Sequence, residues 1–139
     1  MTAKDLMERD LLRARPGDNV WSALALMREG RRRHALVVDE SGRLVGIVSN
    51  RDYRRILDRT APDGTLRGVF EVKIADIMIP ADRLVTATPE MTLIELAALM
   101  TERKVGVLPV LDTEGRPVGV VGHYDVTAAL LATVQARHG

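Results

Sequence analysis

Hydrophobic and polar positions along the chain fall into one pattern, and the pattern occurs twice. A short apolar piece, Asp10-Leu11-Leu12-Arg13, leads to a proline. Val20, Ala23, Leu24 and Met27 then recur at helical spacing, behind Asp18 or Asn19 as a cap. Two apolar runs follow, Ala35-Leu36-Val37-Val38 and Leu44-Val45-Gly46-Ile47-Val48, separated by Asp39-Glu40-Ser41-Gly42-Arg43. This predicts a hairpin whose turn needs the positive φ of Gly42. A second helix is expected from Arg51 to about Arg59.

A shift of 73 residues lays 14–57 on 87–130 without a gap and keeps 15 of 44 positions identical. In the copy, Arg83-Leu84-Val85-Thr86 leads to the proline. Thr92 caps a stripe of Leu93, Leu96, Ala97 and Met100, and Arg103-Lys104 sit at the negative end of that helix. The runs 106–111 and 117–121 flank Gly115, and a closing helix is expected from Tyr124 to about Gln135. Ala75-Asp76-Ile77-Met78 echoes Lys4-Asp5-Leu6-Met7. The expected organisation is a first domain over 1–59, a polar linker over 60–72 and a second domain over 73–139. The strands are apolar on both faces, which predicts a covered sheet. The expected fold class is α/β (α+β): two β-α-β-β-α units packed sheet to sheet about a pseudo-twofold axis.

Each unit holds a strand that runs into a helix, at Gly46-Ile47-Val48-Ser49-Asn50-Arg51-Asp52 and at Gly119-Val120-Val121-Gly122-His123-Tyr124-Asp125. Such a junction is expected to aim backbone N–H groups and a positive helix end at a phosphate. Ser49 with Asp52 also fits a capping box that needs no ligand.

Composition narrows the chemistry. The 139 residues fit one domain, or two halves sharing a core. Four aromatic side chains are too few for single-strand stacking platforms. Cysteine is absent, which excludes thiol chemistry and argues against zinc, and His34 and His123 have no third ligand at metal spacing. A reducing, cytoplasmic setting is expected, because no apolar run would span a bilayer and the polar start is no signal peptide. Residues 1–57 carry 12 Lys and Arg against 8 Asp and Glu, and the remainder 8 against 11. An Arg-rich half suits a small anion better than a nucleic acid. Arg31-Arg32-Arg33 read as cations at a helix C-terminus, one of which could reach a phosphate. No nucleophile–base set and no Walker-type loop is present, so catalytic residues are not expected.

The phrase Leu108-Pro109-Val110-Leu111-Asp112, then Gly115-Arg116, then Val118-Gly119-Val120-Val121 and a strand-end aspartate, resembles the cystathionine-β-synthase (CBS) domain. Two such phrases in tandem, with Asp76-Ile77-Met78-Ile79-Pro80 before the second, resemble a CBS pair over about residues 3–135. The resemblance implies a non-enzymatic regulatory module. It would bind AMP, ADP, ATP or another adenosyl ligand in clefts between the domains, need no other cofactor, and form a homodimer. An unidentified protein partner would read the ligand-driven change. The alternative is a ligand-free module for dimerisation or docking. By the family's Ser-x-x-Asp signature, one site would join Ser49, Asn50, Arg51 and Asp52 to Thr86, Ala87, Val107, Leu108 and Pro109. A weaker one would join Gly122, His123 and Asp125 to Leu12-Arg13, His34, Ala35 and Leu36, because Gly122 lacks the hydroxyl.

Overall fold

In the computed structural model the described residues are 1–52, 55–56 and 70–138. Tyr53, most of the helix expected over 51–59, and residues 60–69 of the expected linker lie outside them. The chain is mixed α and β and divides into two compact units, one of 12–84 and one of 1–11 with 85–139.

In the 12–84 unit the order is β1 (Arg13–Ala14), α2 (Val20–Glu29), β2 (His34–Val38), β3 (Leu44–Ser49), α3 (Ile74–Ile77) and β4 (Ile79–Pro80). One sheet runs β1-β2-β3-β4; β1 is parallel to β2 and the other pairs are antiparallel. Asn19 is the cap of α2, its side chain accepting the Trp21 N–H, while Asp18 instead accepts the Arg15 N–H. Val20, Ala23 and Met27 of α2 pack with Ala35, Val37 and Val48 of the sheet and with Ile74 and Ile77 of α3. The hairpin turn places Gly42 at φ 85°, and Asp39 accepts the Ser41 and Arg43 N–H groups.

The other unit repeats this with α1 (Ala3–Leu6), α4 (Leu93–Arg103), β5 (Val107–Leu111), β6 (Pro117–Gly122) and α5 (His123–His138). Single bridges continue the β5–β6 hairpin on either side, Ala87 to Val110 in parallel and Glu8 to Val120 antiparallel. Thr92 caps α4 in a full capping box with Glu95, and Gly115 stands at φ 82°. Helix α5 begins one residue before the expected Tyr124 and runs past Gln135 to His138. Nothing from 124 to 138 is Gly or Pro, so no residue breaks it sooner.

The compact units do not coincide with the sequence halves. The leading segment 1–11 packs with 85–139: the Ala3 N–H donates to Met91 O, Glu8 bridges Val120, and Ala3 and Met7 join that core. Likewise 72–80 packs with 12–52: the Ile74 N–H donates to Asp18 O, and β4 pairs with β3. The cause is local shape. Gly46 and Gly119 leave gaps in β3 and β6, and Met78 and Met7 lie over them.

Candidate functional site

The sheet order sets the first junction. Strand β3 ends at Ser49, whose register partner in β2 is His34. The Ser49 N–H donates to Asp52 Oδ2 (2.8 Å) and the Arg51 N–H to Ser49 Oγ (3.1 Å). The Asn50 N–H donates to Arg33 O (2.9 Å) and the Asp52 N–H to Ser49 O (3.0 Å). The N–H groups of residues 53 and 54, in the expected first helical turn, lie outside the described residues, whereas all four of 49–52 are engaged inside the protein. The turn consumes them before a ligand could. An anion here would meet side chains instead: the Ser49 hydroxyl, which accepts from Arg51 and keeps its own proton to donate, the Asn50 amide and the Arg51 guanidinium.

Asp52 is largely covered, 14% exposed at its side chain, and its Oδ1 takes a 2.7 Å bond from Arg55. Arg55 is not among the residues expected at the site, although three residues on a helix bring such a pair together. His34 is half-buried, and burial lowers its pKa from 6.5. Asp52 opposes that shift, and Arg33 and Arg51 add to it.

The second junction keeps the frame and changes the chemistry. The Gly122 N–H donates to Asp125 Oδ2 (2.8 Å), as Ser49 does to Asp52. The His123 N–H donates to Gly106 O (2.9 Å), as Asn50 does to Arg33. His123 and Tyr124 stack with ring centroids 4.3 Å apart. Asp125 is exposed. A Cβ on Gly122 would lie 3.5 Å from Asp125 Oδ2, an ordinary contact, so a serine would fit.

Each residue set drawn from the sequence divides between the two units. The 12–84 unit brings Ser49, Asn50, Arg51 and Asp52 together with Arg13, His34, Ala35 and Leu36, Arg13 pairing with Leu36 in register. The other unit brings Gly122, His123 and Asp125 together with Thr86, Ala87, Val107, Leu108 and Pro109, Val107 pairing with Gly122. Ala35, Leu36 and Leu108 are 0–2% exposed, so they have backbone rather than side chain to offer a ligand. Arg13 is exposed, and Thr86 and Val107 are half-buried.

Beside the first junction lies a recess of about 450 Å³, lined by Leu24, Met27, Arg28, Arg31, Arg32, Arg33 and Asn50. Arg28 is a further residue outside the expected set; its place in the last turn of α2, just before Arg31-Arg32-Arg33, is the signal that could have found it. Among the described residues no cluster of three or more His, Asp or Glu could hold a metal. No described helix is long and apolar enough to cross a membrane.

The CBS domain family matches residues 3–59 and 74–132. Uncharacterized protein MJ1225 of Methanocaldococcus jannaschii is 31% identical over 88% of this chain and 44% of its own length. The chain spans less than half the length of several curated relatives it matches. Among solved structures, CBSX2 in complex with AMP, a CBS-pair protein of Arabidopsis thaliana, aligns with TM-score 0.78 and 26% identity, covering 95% of this chain and 97% of that one. The cytosolic domain of the Mg2+ channel MgtE in complex with ATP aligns with TM-score 0.72 and 32% identity, covering 92% and 48%. Two family matches in the repeat's own register, on a fold these neighbours share, place the chain in the CBS domain family as a tandem pair of CBS domains.

Proposed function

We propose that the chain is a regulatory module that binds an adenine nucleotide at its strand–helix junctions and carries no catalysis of its own. One observation bears most weight. Around Ser49 the protein gathers a free hydroxyl proton, an amide, a largely covered carboxylate and several guanidinium groups, and among the described residues no hydrogen bond pairs a nucleophile with a base there. Asp52 would accept from ribose hydroxyls, with Arg55 yielding or sharing Oδ1. Solved relatives support the reading, since one is bound to AMP and another to ATP. Binding would favour one arrangement of the protein in proportion to the ligand's differential affinity for it. A cytoplasmic homodimer fits the absence of cysteine and the exposed Leu26, Ile94, Leu131 and Val134 on the helices.

The test is calorimetry of the full chain with AMP, ADP, ATP and S-adenosylmethionine. Binding tighter than about millimolar, about 4 kcal/mol, is expected for at least one of them. One feature favours a ligand-free docking module instead: both oxygens of Asp52 are already bonded within the protein. On that reading none of the four ligands binds, and none raises the melting temperature.

A further inference from the structure

We infer that the recess beside Ser49 seats a polyphosphate tail, so that the first junction selects adenosine di- and triphosphates over AMP, adenosine and S-adenosylmethionine. The inference rests on the nucleotide reading above and adds which nucleotide.

Four arginines line this one recess, with Asn50 as its link to the junction. The Arg33 carbonyl holds the Asn50 N–H at 2.9 Å, so recess and junction share a wall. Among the described residues, Arg28 and Arg31 form no ion pair with a carboxylate. With the N–H groups of 49–52 engaged inside the protein, these side chains supply positive charge that the backbone of 49–52 does not. Arg32 and Arg33 have partners of their own, and the two that remain, Arg28 and Arg31, still exceed what one phosphate needs, since one arginine can bind a phosphate in a bidentate way. A sulfonium ligand would be repelled by the same field.

Arg31 holds φ 53° and Lys104, its counterpart in the repeat, φ 54°, so this left-handed turn belongs to the helix end in both units. The repeat does not reproduce the cluster. Positions 101, 104, 105 and 106, which answer to the four arginines, are Thr101, Lys104, Val105 and Gly106, a single cation. Selection for phosphate number therefore belongs to the first junction.

The experiment titrates the full chain with adenosine, AMP, ADP and ATP, at two salt concentrations, for the natural sequence and for Arg28→Ala, Arg31→Gly and Arg31→Lys. ADP and ATP should bind at least about tenfold tighter than AMP, the scale of one charged hydrogen bond, and lose more affinity in salt. Arg28→Ala and Arg31→Gly should erase most of that margin and leave adenosine unchanged, and Arg31→Lys should keep part of it. Both positions are exposed, so the variants should fold. Equal affinity for AMP and ATP would overturn the phosphate inference while leaving the adenosyl reading intact. Failure of every ligand to bind would overturn both.

Discussion

Met78 lies so close over Gly46 that a methyl group on the glycine would stand 2.6 Å from the methionine sulfur and 2.9 Å from the Ile79 carbonyl oxygen. Met7 covers Gly119 in the same way in the other unit. These contacts lock each leading segment to a sheet far from it in sequence. Gly46→Ala and Gly119→Ala should each destabilise by about 1–3 kcal/mol, the scale of overpacking. Chemical denaturation would measure it. Met7→Ala should relieve part of the Gly119→Ala cost, so a double-mutant cycle should show coupling. At Gly46 the backbone oxygen remains in the way, and Met78→Ala should rescue less.

Arg31 and Lys104 stand at matching helix ends, at φ 53° and 54°. Replacing either with glycine should raise stability, by up to about 1 kcal/mol, because glycine adopts this conformation freely but loses more chain entropy on folding. Arg31→Gly should thus stabilise the chain while weakening ATP binding. A purely structural arginine would not separate the two readouts.

Gly122→Ser should restore the missing hydroxyl at the second junction, where the space is open. The gain in stability should be only a few tenths of a kcal/mol, as for glycine-to-serine exchanges at helix caps. Under the nucleotide reading, calorimetry should show stronger binding at a second site. Unchanged binding with unchanged folding would mean that the hydroxyl is not what limits that junction.

His34 sets an acid limit. Its folded pKa lies below 6.5, chiefly through burial, so the unfolded chain binds the proton more readily. Its contribution to stability is full above about pH 6.5 and is lost as pH falls through that value toward the folded pKa. Melting temperature should therefore drop between neutral and mildly acid pH, and His34→Gln should flatten that slope. The carboxylates of Asp39 and Asp112 are held below 3.8 by hydrogen bonds, from Ser41 and from the Arg116 backbone foremost, so their loss comes only in stronger acid.

Much of the fold is legible in the amino-acid sequence. The helix caps at Asn19 and Thr92, the hairpin glycines Gly42 and Gly115, and the two junctions all follow from local chemistry. Association of 1–11 with 85–139 does not, because it depends on shape across a long sequence gap. Its only trace is a glycine inside each apolar strand, which a turn does not require. The N–H groups at Ser49 escape a sequence reading for a related reason. Sequence shows that a strand meets a helix, but not that the turn between them closes on its own carboxylate and on Arg33 O. Arg28 joins the recess only once α2 has ended and the left-handed turn at Arg31 brings Arg31 to Arg33 beside its last turn.

Nucleotide binding anchored at Asp52 is tested by titrating ATP into the natural chain and into Asp52→Ala. Saturable binding is expected of the natural chain, falling at least about tenfold in the variant, roughly the loss of one charged hydrogen bond. A circular-dichroism melt should show the variant still folded, less stable by about 0.5–2 kcal/mol for the lost cap. Equal ATP affinity in the two proteins, or none in either, would mean that Asp52 does not anchor a nucleotide.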